Sequence, residues 1–520
     1  MINKIDRHVI FIGVACLSGV LLSLVFTIVV NIIFPQPHFY FGCSRFVAIA
    51  AVTSSIICLI KYRGYFTRNL HKAFLLIALV FGISCILVFP RVVYLSPDDQ
   101  IHFKNAYFFM DDTVELRGGF AAIGSAGLTS VDGKGFDELS TTYDDMNNAD
   151  QTVIDYKYHV DESPHLYNRI AYLPFYVGLK VSNFFRLNFT TGIVIAKIFN
   201  LICYVALVYI AIRESGKMRK IFFIIGLLVS NIFLATQFSY DPLVIASLLL
   251  AISLFLHMQQ MEVVTPRYLF GFILAVTLGS LIKAIYCPLM LLLLMIPNAK
   301  FDCKRRGITF KVCALLTMVV IASTFVLPIL GGGLASDIRG GNTSVGGQIH
   351  FLLSNPIKGL AIVAQFVAGS LPNLTIGIGA LVGLGSVASS AAIYEICLPV
   401  VQLVWGLSLL TLLWVTFNTG LEEIGMTRRS KLTVLIIYII LVGMVFASMY
   451  LSFTSVGSTQ VDGIQSRYLM PFFALLLVLL MPEKSTSKKE SHDKDNLILL
   501  IPCLCLMLVF GVYVLRMSIL

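Results

Sequence analysis

Long apolar runs recur along almost the whole chain, and short charged stretches separate them. A hydrocarbon core about 30 Å thick is crossed by roughly 20 apolar residues in α-helix. Inside lipid a segment must satisfy its own backbone polar groups, so runs of this kind become membrane helices. Candidates fall near 9–33, 45–60, 73–90, 191–212, 220–236, 242–258, 268–283, 285–297, 312–330, 357–370, 396–417, 432–452, 469–482 and 497–517. The pattern predicts an all-α polytopic membrane protein, a bundle of about 12 to 14 transmembrane helices. Composition agrees, with 58% hydrophobic and 13% charged residues where a soluble domain carries about 25% charged. The first run is too long for a secretory signal and lacks a small-residue cleavage site, so it reads as a retained anchor.

Charge then gives orientation. The segments Lys61 to Lys72, Arg213 to Lys220, Lys300 to Lys311, Arg428 to Lys431 and Lys484 to Lys494 are short and basic, as cytoplasmic loops are. Pro97-Asp98-Asp99, Phe238 to Pro242, Lys283 to Pro288, Gly331 to Pro356 and Ser455 to Tyr468 then fall on the other side. One span within 356–390 would break this alternation, and its glycines suggest a re-entrant hairpin or a surface helix pair. The loop from Arg91 to His165 holds 14 acidic against 5 basic side chains. The net charge of +10 is therefore a topology signal and gives no support to nucleic-acid binding. Eleven cysteines show no CxxC or zinc-ligand spacing.

Four stretches follow from these runs. Residues 1–72 hold an N-terminal transmembrane pair and a basic loop, and 73–190 a further helix with the acidic extracytoplasmic loop. The transmembrane core occupies 191–482, and 483–520 adds a basic loop and the last helix.

Four polar elements interrupt the apolar pattern on the outer side. In Pro97-Asp98-Asp99-Gln100-Ile101-His102, a helix beginning after the proline would set Asp98, Asp99 and His102 within about one turn. That cluster could remove a proton from a hydroxyl; an Asp after Pro is equally a good helix cap. Gln237-Phe238-Ser239-Tyr240-Asp241-Pro242 forms a polar turn whose Tyr240 and Asp241 could face the acidic loop, or whose Asp241 could merely cap the next helix. Lys283, with Tyr286 and Pro288 following, lies between two apolar runs and must pair with an anion or snorkel to the headgroups. Arg467, in Gln465-Ser466-Arg467-Tyr468, opens a span from the side where positive charge is scarce. Guanidinium suits phosphate, and neutralising Asp462 or another loop carboxylate is the alternative. Asn188, Asn342 and Asn373 begin glycosylation acceptor patterns that several chance matches would produce. The glycines from Gly377 to Gly385 suit close helix packing better than a nucleotide loop.

Together these elements resemble the bacterial predicted membrane proteins of the domain of unknown function twenty-one forty-two, placed in the GT-C glycosyltransferase superfamily. The likeness rests on Pro97-Asp98-Asp99 with His102 and Ala106, Tyr172-Leu173-Pro174, Ser239-Tyr240-Asp241, Lys283 with Tyr286, and Gln465 with Arg467-Tyr468 and Pro471. Pro-Asp-Glu and Gly-Arg-Tyr, usual in that family, are replaced by Pro97-Asp98-Asp99 and Ser466-Arg467-Tyr468. The resemblance implies a bacterial inner-membrane enzyme that transfers sugar from a polyprenyl-phosphate donor to a cell-envelope glycan or glycolipid on the periplasmic or outer face, with inversion. On that expectation Asp98 is the base, Asp99 and His102 assist it, and Lys283 and Arg467 hold the donor phosphate. Tyr240, Asp241, Tyr286, Gln465 and Tyr468 would line the substrate. No cofactor is fixed by these residues, and Asp98 and Asp99 could hold Mg²⁺ or Mn²⁺ through oxygen ligands. The alternatives are a transporter or lipid-linked glycan flippase, which should carry midplane ionisable groups and repeats, and a non-enzymatic envelope assembly protein.

Overall fold

The computed structural model describes residues 4–33, 41–88, 99–107, 109, 113–117, 153–157, 169–330, 341–379, 391–485 and 492–519. Asp98 and the side chain of Asp99 lie outside these residues, as does the 380–390 part of the expected hairpin.

The apolar runs become helices. Among the described residues nine are long and apolar enough to cross a membrane, or ten if one bent pair counts as a single span. Four further apolar helical segments are shorter: Pro266–Ile282, Ala284–Met295, Gln402–Phe417 and Ser466–Leu480. The difference from the expected 12 to 14 full spans lies in these short or broken segments. Pro356–Ile376 is one continuous helical run of 21 residues, long and apolar enough to cross a membrane, relaxed by a π-turn at Phe366–Ser370. The acidic loop contributes a departure from an all-α fold: Thr113–Arg117 pairs antiparallel with Val153–Lys157, Glu115 standing opposite Asp155.

One helix forms the axis. Asp241–Gln260 is apolar on every side, as a helix enclosed by others must be, and 94% of its most apolar window is buried, against 11% for Pro356–Ile376. Phe189–Glu214 and Pro266–Ile282 pack along it. The bent pair, Gly216–Gly226 and Val229–Ala235, turns by 67°. A break inside a membrane is tolerated only where freed carbonyls find donors. Here the Tyr204 hydroxyl donates to the Gly226 carbonyl (2.8 Å) and the Asn231 amide to the Ile225 carbonyl (2.8 Å). Asn188, one of the glycosylation-like positions, caps Phe189–Glu214 by accepting from the Thr191 N–H.

Contacts gather the basic segments at one end of the bundle. The Lys217 N–H donates to Gln260 and the Lys300 ammonium to the Gln259 carbonyl. Arg428 pairs with Glu483 at 2.6 Å, Lys431 donates to the Met481 carbonyl, and His71 meets the Tyr209 ring. Asp241, at the start of the axial helix, lies at the opposite end.

Candidate functional site

Prolines shape the backbone that carries the charged groups. Pro242 sits in the first helical turn after Asp241, where a missing N–H costs nothing. Pro288 has no N–H for the Ala284 carbonyl and would clash with it in an α-helix. The chain accordingly leaves the α-helix at Lys283, extended at φ −134°, ψ 96°, and runs on as a 3-10 helix over Ala284–Met295. Such a long 3-10 stretch inside a span is uncommon. Pro471 acts likewise beyond Arg467: two 3-10 turns, Ser466–Tyr468 and Met470–Phe472, precede the regular helix Phe473–Leu480.

These breaks bring three charges into contact. The Lys283 ammonium lies 3.3 Å from Oδ1 of Asp241, and Nε of Arg467 lies 3.2 Å from its Oδ2. Asp241 and Arg467 are 5% and 6% exposed, so water does little to screen them. The Lys283 ammonium also stands over two aromatic rings, 4.0 Å from the centre of Tyr468 and 4.8 Å from that of Tyr240, a cation–π arrangement. Buried Tyr286 donates to the Tyr468 carbonyl at 2.9 Å and fixes that strand of chain beside Lys283. A Cβ on Gly377 would come within 2.7 Å of the Ser466 hydroxyl, so this glycine lets its helix end approach the Arg467 turn. Beside them, Oε1 of Gln465 is buried with no hydrogen-bond partner among the described residues.

The helix Asp99–Tyr107 delivers His102 to the same place. Its ring meets that of Tyr240 edge-on at 4.7 Å, and its Nδ1 lies 2.9 Å from the Tyr172 hydroxyl. Burial pushes the Tyr172 phenol up, and Asn105 donates to its oxygen at 3.4 Å.

Stretches far apart in the chain therefore converge: His102 and Tyr172, Tyr240 and Asp241, Lys283 and Tyr286, and Gln465, Arg467 and Tyr468. Asp241 does not cap its helix with its side chain; it holds the two cations. The snorkelling alternative for Lys283 gives way to this shared carboxylate, and Arg467 neutralises a loop carboxylate, as its alternative reading allows, with Asp241 in place of Asp462. Among the described residues no three His, Cys, Asp or Glu side chains gather as a metal site would require, and the Asp98 and Asp99 carboxylates lie outside that set. Sequence reasoning missed one support. Lys197, 2% exposed, donates to Oε1 of Gln237 at 2.9 Å, and Asn200 donates to the Ala235 carbonyl at 3.1 Å. The pair braces the turn that ends in Asp241. A lone lysine within an apolar run was the available signal, the one that singled out Lys283.

A family model described as predicted membrane protein (DUF2142) matches residues 79–476, which include every group in this cluster. The chain belongs to the DUF2142 family. The DUF2142 match begins beyond the first two helices and ends before the last, so the helices at the two chain termini lie outside the matched residues. No curated protein and no solved structure matches the chain.

Proposed function

We propose that this DUF2142 protein transfers a sugar from a polyprenyl-phosphate donor to a cell-envelope glycan or glycolipid at the membrane face opposite its basic loops. The observation that carries the reading is the Lys283–Asp241–Arg467 triad, two cations on one carboxylate, enclosed by Tyr240, Tyr286 and Tyr468. These three side chains together bear a formal charge of +1, suited to a phosphate at the end of a membrane helix. Basic loops favour the cytoplasm, and this supports reading the triad as facing the extracytoplasmic side of a bacterial inner membrane. The GT-C resemblance supplies the reaction class.

In this mechanism a carboxylate takes the proton of the acceptor hydroxyl as its oxygen attacks the anomeric carbon. The bond to the donor phosphate breaks with the electron pair going to the phosphate. Negative charge grows on that oxygen, and fixed cations stabilise it more in the transition state than in the ground state. Lys283 and Arg467 fill that role, held in place by Asp241. The base is Asp98, three positions before Ile101 and four before His102, and the helix beginning at Asp99 approaches the triad through His102. Asp99 and His102 orient it. The buried amide oxygen of Gln465 suits a sugar hydroxyl, since it has no donor among the described residues.

The test is transfer from a lipid-linked sugar in proteoliposomes. Asp98→Asn should reduce turnover by about a hundredfold or more, with insertion unchanged. Arg467→Ala should weaken donor binding. Movement of the donor across the bilayer without transfer would instead establish the transporter reading, and unchanged transfer in Asp98→Asn would remove the assigned base.

A further inference from the structure

We propose that the basic end of the bundle holds a second ligand site, a groove that seats one anionic phospholipid of the adjoining leaflet. The inference does not depend on the sugar-transfer reading, because the groove lies at the other end of the axial helix. It is a cavity of about 380 Å³ between Phe189–Glu214, Asp241–Gln260 and Pro266–Ile282. Its walls are leucines from all three helices, among them Leu207, Leu250, Leu274 and Leu278, while Ser247 and Gly271 leave its floor open because their side chains are small. A Cβ on Gly271 would already touch Leu254 at 3.3 Å.

Only one end of the groove is polar. Arg213 pairs with Glu214 at 3.2 Å, Glu214 accepts from the Tyr268 hydroxyl at 3.3 Å, and Tyr268 accepts from Arg267 at 2.9 Å. Arg267 is further held over the Tyr268 ring, 4.6 Å from its centre. Two arginines against one glutamate leave this collar positive, and Lys217 adds to it one turn beyond Glu214. The side chain of Arg213 is 62% exposed and is free to turn toward a headgroup.

An apolar slot that ends in two guanidinium groups has the shape of an acyl chain with its phosphate. A soluble anion would gain nothing from the leucine walls, and a zwitterionic lipid would gain less from the arginines. Basic pockets between membrane helices on the cytoplasmic side recognise anionic headgroups in this way. Guanidinium adds paired hydrogen bonds to phosphate oxygens. The bound chain would fill the space between the axial helix and its two neighbours.

The experiment uses the full-length protein, purified in mild detergent, delipidated, and exposed to dioleoyl phosphatidylglycerol or dioleoyl phosphatidylcholine, with bound lipid read by native mass spectrometry. Wild-type protein should retain phosphatidylglycerol in preference to phosphatidylcholine. The double variant Arg213→Gln with Arg267→Gln, made largely at the surface, should lose on the order of thirtyfold in affinity for phosphatidylglycerol and keep its weak affinity for phosphatidylcholine. Gly271→Leu should reduce retention of phosphatidylglycerol with both arginines present. Equal retention of the two lipids by wild type, unchanged phosphatidylglycerol binding in the double variant, or full displacement of phosphatidylglycerol by inorganic phosphate would overturn the proposal.

Discussion

Asparagine in place of Asp241 would leave two buried cations facing one another with no carboxylate between them. Removing one partner from a buried ion pair costs about 3 kcal/mol or more, because the remaining charge keeps its desolvation penalty. Lys283→Met is expected to cost less, since it leaves the Arg467–Asp241 pair intact at 3.2 Å. Thermal melts in detergent should therefore rank Asp241→Asn below Lys283→Met, and the reverse order would show that the triad does not act as a unit. Tyr172→Phe removes the hydroxyl that hydrogen-bonds Nδ1 of His102 and should cost about 1 kcal/mol in the same melts. At this scale the sequence was legible where charge stood against an apolar background. Lys283 and Arg467 were found that way, and Asp241 by its place before a proline. What it withheld was who pairs with whom: Asp241 reads as a cap or a substrate contact, and only the fold shows that it joins two cations 42 and 226 residues further along the chain.

Helix breaks are what turn these residues toward one another. With alanine at 288, the carbonyl of Ala284 would regain a donor and the α-helix Pro266–Ile282 could continue through Lys283. The Lys283 side chain would then rotate off Asp241. Pro288→Ala is expected to lower donor affinity nearly as much as Lys283→Ala does, with a smaller loss of melting temperature; equal donor affinity to wild type would refute the role given to the break. The sequence marks these sites openly, since Pro242, Pro288 and Pro471 are visible in it. It does not mark the 67° bend between Gly216–Gly226 and Val229–Ala235. Residues 220–236 read as one apolar run because the bend is stabilised by partners distant in sequence, Tyr204 among them. The same limit hid the pairing of Thr113–Arg117 with Val153–Lys157, for residues 118–152 lie between the two strands and no short hairpin loop joins them.

Across the whole molecule, positive loops collect at one end and the buried triad at the other. Single cysteines placed at Lys217 and at Ser458, in a background without the native cysteines, should react with an impermeant maleimide from opposite sides of sealed vesicles. Labelling of both from the same side would break the assigned topology. The bundle as such was readable from the spacing of apolar runs, and its sidedness from lysine and arginine. Which helix would be central was not, because several runs are equally apolar; burial singles out Asp241–Gln260. That choice of axis matters electrically. Aligned peptide dipoles place roughly half a positive charge at a helix N-terminus, and this helix starts at the buried Asp241. Unlike an imidazole, amide dipoles have no proton to lose, and unlike surface lysines they are little shielded by added salt. The pull on an anion at that end is thus built into the backbone and should persist across pH and ionic strength, even where side-chain charges have been altered.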